Sequence, residues 1–150
     1  MFHIVEDSEI LREMLVDMID SLGRTGVPFA SPLEYLEYLQ SDDFTLPCAV
    51  LTDVNMPHMS GYEMIESILS MNPSIKFAVM SGEPNICSQY KDKVCMFLEK
   101  PYTGQQVEEL VNKFKRCESS GPSPNIGCAQ FGSRRSFTLS STICPKATCN

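Results

Sequence analysis

Short apolar runs alternate with amphipathic segments along most of the chain, and few folds accommodate that order. The runs occupy residues 2–5, 27–30, 48–52, 75–80 and 95–98. They are apolar without strict alternation, which predicts strands covered on both faces. Strands that alternate with helices build a parallel sheet. We therefore expect a doubly wound α/β fold with a five-stranded parallel sheet flanked by about five helices.

The segments between these runs carry helix signals. Apolar residues recur at three- and four-residue steps from Ile10 to Leu22, and Gly23 follows as the predicted end of the helix. Three helix starts have a capping residue followed three positions later by Glu or Gln, and these begin at Ser31, Ser60 and Thr103. A fourth, shorter helix is expected within residues 84–91, where the pattern is weak.

Composition divides the chain into an acidic body and a different tail. Residues 1–117 hold 18 acidic and 9 basic side chains, a net charge of −9, and residues 118–150 hold 1 and 3, a net of +2, which together give −7. We expect one domain over residues 1–117. The Ser-, Gly-, Pro- and Cys-containing tail, residues 118–150, lacks periodicity and is expected to be flexible or docked, but not an independent domain. The acidic body argues against direct nucleic acid binding.

Neither a membrane segment nor a disulfide framework is expected. No apolar run approaches the roughly 18 residues that span a bilayer, and the first residues lack the basic region of a signal peptide. We therefore predict a cytoplasmic protein without membrane insertion. The cysteines are odd in number with no two-residue spacing, which predicts structural thiols; they are Cys48, Cys87, Cys95, Cys117, Cys128, Cys144 and Cys149.

Polar side chains follow four of the predicted strands at the point where each strand ends. Glu6 and Asp7 follow the first strand, Asp53 the third, Ser81 the fourth and Lys100 the fifth. The carboxyl ends of parallel strands meet at one edge of a sheet, so these groups should converge. Clustered carboxylates suit Mg²⁺, and a carboxylate beside the metal can attack phosphorus. The ammonium and hydroxyl can neutralise and hydrogen-bond a transferred phosphoryl group.

Four stretches resemble the bacterial two-component response-regulator receiver domain. They are the Glu-Asp pair at residues 6–7, Asp-x-x-Met-Pro-x-Met-x-Gly at 53–61, Val-Met-Ser-Gly at 79–82 and Leu-Glu-Lys-Pro at 98–101. The resemblance covers residues 1 to about 117. It implies the flavodoxin-like receiver fold and a stand-alone, chemotaxis-type response regulator, which is a signalling protein and catalyses only its own phosphorylation and dephosphorylation.

The resemblance also implies a role for each matched residue of the metal and phosphoryl site. Asp53 is the implied phosphoacceptor, which receives the group from a histidine kinase or a histidine phosphotransfer protein. Asp7 is implied to bind Mg²⁺ directly, Glu6 through water, and Asn55 through its backbone carbonyl. Lys100 is implied to pair with the phosphoryl group.

Further matched positions imply a conformational switch and a short phosphoryl lifetime. Ser81 corresponds to the switch hydroxyl and Phe97 to the switch aromatic, which turns inward when the hydroxyl moves. Asn55 and Glu83 stand at the two positions that tune lifetime, and their pairing implies rapid, Mg²⁺-dependent self-hydrolysis. Pro101 resembles the proline whose preceding peptide is often cis.

The sequence also departs from the receiver pattern near the fourth helix. The interval from Ser81 to Lys100 is a few residues shorter than usual, and Lys93-Val94-Cys95 replaces the habitual Gly-Ala pair. In receiver domains that region normally contacts partner proteins, so the resemblance indicates less about which partners this chain binds. Output is expected to run through contacts with a downstream protein target, because no DNA-binding or catalytic domain follows.

Parts of the sequence also bear on three other functions. A haloacid-dehalogenase-type phosphatase needs a second Asp two residues after the nucleophile, and Asn55 stands there. Cysteine-phosphatase chemistry has only the spacing of Cys128 and Arg134, without the surrounding α/β domain. A receiver-like module that binds proteins without being phosphorylated remains the alternative.

Overall fold

The computed structural model describes residues 1–83 and 88–118, with the side chains of Ser88 and of residues 116–118 excluded. The strands are β1 (Phe2–Val5), β2 (Gly26–Phe29), β3 (Ala49–Asp53), β4 (Phe77–Ser81) and β5 (Met96–Glu99). The helices are α1 (Glu9–Ser21), α2 (Pro32–Leu39), α3 (Gly61–Met71) and α4 (Gly104–Glu118). All five predicted strands are confirmed to within two residues at each end.

The five strands form one parallel sheet in the order β2-β1-β3-β4-β5. Successive residues of β3 point to opposite faces, as the pleat of a strand requires. Ala49 and Leu51 pack with Phe114 of α4 in one core, whereas Val50 packs with Ile65 of α3 in the other. The sheet is therefore covered on both faces, which is why its strands read as continuous apolar runs.

The three predicted capping pairs are present, but the pair at the start of α2 makes a different set of hydrogen bonds. Ser60 and Glu63 form a complete capping box at α3, as do Thr103 and Gln106 at the start of α4. At α2, the Ser31 hydroxyl accepts a hydrogen bond from the Glu34 N–H, as predicted. The Glu34 carboxylate, however, binds the N–H of Ala30 instead of that of the capping serine. The helix start is preserved because both groups still satisfy backbone donors.

Between β4 and β5, the described chain contains a short 3₁₀ turn, Ser88–Tyr90. The helix expected within residues 84–91 falls partly on residues 84–87, which lie outside the described residues. The turn is held against α3, where the Tyr90 ring stacks on Tyr62 with centroids 4.2 Å apart. Lys93 Nζ lies 2.8 Å from Glu66 Oε1. The described part of the shortened interval thus includes a 3₁₀ turn beside α3.

Among the described residues, no helix is long and apolar enough to cross a membrane. Cys48 and Cys95 are half-buried, form no disulfide, and pack against the core that contains residues of α1 and α4. The other cysteine side chains, and the expectation for the tail beyond Glu118, lie outside the described residues. The last helix reaches Glu118, one residue past the boundary expected from composition.

Candidate functional site

The predicted site residues lie at one edge of the sheet because the strands are parallel. Asp53 is the last residue of β3, and Ser81 is the last residue of β4. Glu6 directly follows β1, and Lys100 directly follows β5. Since β1 and β4 flank β3 in the sheet, groups from distant parts of the sequence meet around Asp53. The predicted convergence of these strand ends is confirmed.

Three carboxylates form the centre of the site. One oxygen from each of Glu6, Asp7 and Asp53 lies within 4.8 Å of the others. Glu6 and Asp53 are 1% and 6% exposed, whereas Asp7 is exposed to solvent. An all-oxygen donor set that is open on one side suits a hard divalent cation such as Mg²⁺, which retains several waters. The residues present therefore fit the metal that the sequence predicted.

Lys100 neutralises part of this negative charge. Its Nζ lies 2.7 Å from Glu6 Oε2 and 3.1 Å from Asp53 Oδ2. Burial raises the pKa of Glu6, and the hydrogen bond from Lys100 only partly opposes this effect. Burial alone would lower the pKa of Lys100, but the hydrogen bond to Glu6 and the charge of Asp53 outweigh it and raise that pKa. The lysine therefore stays cationic between two carboxylates.

The backbone around Asp53 fixes the direction of its side chain. The N–H of Val54 donates to Asp53 Oδ1 at 2.7 Å. The Thr52 hydroxyl donates to the Asp53 carbonyl at 2.9 Å, and Gly61 at the start of α3 packs directly on that carbonyl. A Cβ at Gly61 would collide with the Asp53 carbonyl oxygen. The glycine of the Asp-x-x-Met-Pro-x-Met-x-Gly stretch is thus required for this close approach.

The remaining predicted residues are not part of the carboxylate cluster. Ser81 is buried; its hydroxyl accepts a hydrogen bond from the Glu83 N–H at 3.0 Å, and its carbonyl accepts one from the Lys100 N–H at 2.7 Å. Phe97 is half-buried and packs against the core shared with α2 and α3. Asn55 and Glu83 are exposed in the loops that follow their strands.

Two residues of the site were not singled out in the sequence. Arg12 Nη1 donates to the backbone carbonyls of Glu6 at 2.7 Å and Asp7 at 3.3 Å, and so holds the acidic turn. The one sequence feature that could have identified Arg12 is its position in the first turn of α1, a few residues after Glu6 and Asp7. The Tyr102 hydroxyl is buried, and burial together with the charges of Glu6 and Asp53 raises its pKa. Tyr102 follows the Lys100–Pro101 peptide, which is cis.

Comparison with known families identifies the arrangement. The family model of the response regulator receiver domain matches residues 2–112. The chain belongs to this family. A receiver domain is a signalling module of two-component systems and not an enzyme, and receiver domains partner histidine kinases. An acidic pocket such as Glu6, Asp7 and Asp53 is typical of phosphoaccepting response regulators.

Individual relatives agree with this membership. The chemotaxis protein CheY of Thermotoga maritima is 28% identical over 116 residues, with 75% of this chain and 95% of CheY covered. The C4-dicarboxylate transport transcriptional regulatory protein DctD of Rhizobium meliloti is 26% identical over 118 residues, which cover 77% of this chain. The chain spans only 24% of DctD.

A solved structure shows the same fold. The response regulator protein TrrA of Thermotoga maritima, crystallised in complex with Mg²⁺ and BeF, has a TM-score of 0.62 and 20% sequence identity. The match covers 75% of this chain and 96% of TrrA. The doubly wound sheet expected from the sequence is therefore the receiver fold.

Proposed function

We propose that this receiver accepts a phosphoryl group on Asp53 from a histidine kinase or a histidine phosphotransfer protein, and that it signals through protein contacts. One observation carries the proposal: Asp53 ends β3 within 4.8 Å of two further carboxylates and 3.1 Å from Lys100 Nζ. A nucleophile, a cation site and a fixed positive charge therefore share one solvent-facing edge. The matched family supports this assignment, and we propose that the protein acts in the cytoplasm.

The proposed transfer begins with an Asp53 carboxylate oxygen. That oxygen forms a bond to phosphorus while the P–N bond of a phosphohistidine, or the P–O bond of a small acyl phosphate, breaks and leaves its electron pair on the departing group. Lys100 offsets the charge on the transferred oxygens, because its ammonium already lies against Asp53. The Val54 N–H keeps the carboxylate oriented.

Glu6, Asp7, Asp53 and the backbone carbonyl of Asn55 would hold Mg²⁺. The ion, when bound, supplies positive charge that offsets the repulsion between the carboxylates and an incoming phosphate. The exposed Asp7 leaves this position open to solvent and substrate. The buried Glu6 is already paired with Lys100. TrrA, which has the same fold, was crystallised in complex with Mg²⁺ and BeF, and we propose that this chain likewise binds Mg²⁺.

Ser81 and Phe97 are the proposed moving parts. The Ser81 hydroxyl accepts only the Glu83 N–H among the residues that the structure describes, so its own proton remains available to a phosphoryl oxygen. A half-buried Phe97 can turn further inward when that hydroxyl moves. The phosphoryl group would thereby shift an equilibrium between two states. Asn55 and Glu83 flank the site, and we propose that they permit rapid hydrolysis of the phosphoaspartate to aspartate and inorganic phosphate.

The first experiment is intact mass spectrometry after incubation of the full chain with acetyl phosphate and Mg²⁺. We expect one phosphoryl adduct that disappears in Asp53→Asn and is suppressed by a chelator. Asp42 is exposed and lies in the segment before the start of β3, whereas Asp53 ends that strand. Asp42→Asn should therefore keep the adduct and serves as the matched control. A folded native chain that forms no adduct, either with acetyl phosphate or with a phosphorylated histidine kinase, would instead be a receiver-like protein-binding module.

A further inference from the structure

Helix α1 has an open groove on its solvent side. The groove has a volume of about 470 Å³ and is lined by Ile10, Glu13, Met14, Asp17, Met18 and Ser21. These positions recur at steps of three and four, so they share one face of the helix. Ile10 is 78% exposed, and it is the most exposed of the large apolar side chains in the described part of the chain. We call this feature the α1 groove.

The α1 groove combines an apolar floor with negative charge. Met14 and Met18 are half-buried and provide adaptable thioether surface, whereas Glu13 and Asp17 are exposed. The one basic residue of α1, Arg12, is turned away and binds the carbonyls of Glu6 and Asp7. A segment that fits this groove should therefore carry apolar side chains next to positive charge.

The C-terminal tail has this chemistry. Residues 119–150 contain no Asp or Glu and three basic residues, a net charge of +3, whereas residues 1–118 hold 19 acidic and 9 basic residues, a net of −10. Within the tail, two adjacent arginines lie between large apolar residues; the set is Phe131, Arg134, Arg135, Phe137 and Leu139. The tail and the body therefore carry opposite charges, and the arginines have apolar neighbours.

The starting point of the tail is close to the groove. Helices α1 and α4 follow parallel strands, so they run in the same direction, and they pack against each other. Glu118, the last residue of α4, thus lies at the same end of the pair as Ser21. The 12 residues numbered 119–130 can span up to about 40 Å, which exceeds the roughly 20 Å length of α1. Residues 131–139 can therefore reach every part of the α1 groove.

We propose that residues 131–139 of the tail bind in the α1 groove of the same molecule. Arg134 and Arg135 pair with Glu13 and Asp17, and the flanking aromatic side chains cover Ile10 and the methionines. The contact does not depend on phosphorylation of Asp53.

NMR relaxation of the ¹⁵N-labelled full chain tests this contact. Backbone order parameters of residues 131–139 should be above about 0.8 in the native chain, as for ordered backbone, and below about 0.6 in Glu13→Lys/Asp17→Lys. Reversing the charges of the tail in the same chain, with Arg134→Glu/Arg135→Glu, should restore the high order parameters, because the charge pairs are re-formed with opposite polarity. Glu37→Lys on the exposed side of α2 is the control and should leave the tail ordered.

Two results would overturn the proposal. Order parameters below about 0.6 for residues 131–139 of the native chain would show that the tail does not bind the body. Ordering that increases with protein concentration would assign the groove to a second copy of the chain. Folding of each variant is checked by the amide spectrum of the sheet, so loss of the tail contact is distinguished from loss of the domain.

Discussion

At the scale of single residues, Tyr102 and Tyr35 form a natural comparison. Both hydroxyls are buried, but the Tyr35 hydroxyl lies 3.0 Å from His3 Nδ1, whereas the Tyr102 hydroxyl has no hydrogen-bond partner within residues 1–83 and 88–118. A buried hydroxyl contributes to stability only when it is paired. The two tyrosines should therefore respond differently to removal of the oxygen.

We expect Tyr102→Phe to leave the free energy of unfolding unchanged or to raise it by up to about 1 kcal/mol, and Tyr35→Phe to lower it by about 1 kcal/mol. Urea denaturation of the two variants and the native chain measures both values. An equal loss of stability in the two variants would contradict the difference in hydrogen bonding.

His3 makes stability depend on pH. It is fully buried on β1 among the rings of Phe29, Tyr35, Tyr38 and Phe44. Burial, aided by the N-terminal charge, lowers the pKa of His3 from 6.5 to about 4. The unfolded chain therefore binds a proton more readily than the folded one below pH 6.5.

The contribution of His3 to stability should be complete above pH 6.5 and should be lost as the pH falls towards 4. The loss is about 3 kcal/mol for a pKa difference of this size. Unfolding measured at several pH values should show a weaker dependence in His3→Phe. A pH dependence in His3→Phe as steep as that of the native chain would contradict this assignment.

At the scale of elements, two helices begin with glycine for different reasons. Gly61 at the start of α3 packs on the Asp53 carbonyl, so an added Cβ would collide with backbone. Gly104 at the start of α4 has nothing within 4 Å of an added Cβ. The first glycine allows α3 to approach the backbone of Asp53, whereas the second is replaceable.

Gly61→Ala should lower the free energy of unfolding by about 1–3 kcal/mol, because the helix start and the Asp53 loop must move apart. Gly104→Ala should be neutral or stabilising by up to about 1 kcal/mol, since alanine restricts the unfolded chain more than glycine does. Thermal unfolding of both variants tests the contrast. Similar losses of stability at the two positions would mean that a Cβ placed against the Asp53 carbonyl is no more destabilising than one at an open position.

At the scale of the whole molecule, charge is concentrated at the carboxyl edge of the sheet. Glu6, Asp7 and Asp53 meet there with one lysine, so the carboxylates repel one another. A ligand that binds the folded state but not the unfolded state stabilises the fold by about 2.7 kcal/mol when its free concentration is one hundred times its dissociation constant. Mg²⁺ should therefore raise the melting temperature of the full chain.

We expect the melting temperature to rise with Mg²⁺ concentration until it reaches a plateau. At saturation, the rise should be several degrees for a domain of this size. Asp7→Asn should abolish most of the rise, whereas Asp42→Asn should leave it intact. Calorimetry with and without chelator provides the measurement. A native chain whose melting temperature is the same with and without Mg²⁺ would exclude a metal site of useful affinity.

Most of the fold and the membership of the site were predictable from the sequence. The five strands, the starts of α2, α3 and α4, and the convergence of Glu6, Asp7, Asp53 and Lys100 all follow from local patterns. The region between β4 and β5 was less predictable because its helix pattern is weak. The described part of that region is a 3₁₀ turn held by the stacking of Tyr90 on Tyr62.

The sequence alone determined where strands and helices begin, because side-chain periodicity and capping residues act over a few neighbouring positions. It also determined which side chains stand at strand ends. The packing of the folded chain, by contrast, buries Glu6 while it leaves the adjacent Asp7 exposed, and it pairs Lys100 with Glu6, 94 positions away. Those properties depend on how distant strands and helices pack together, and no local pattern contains that information.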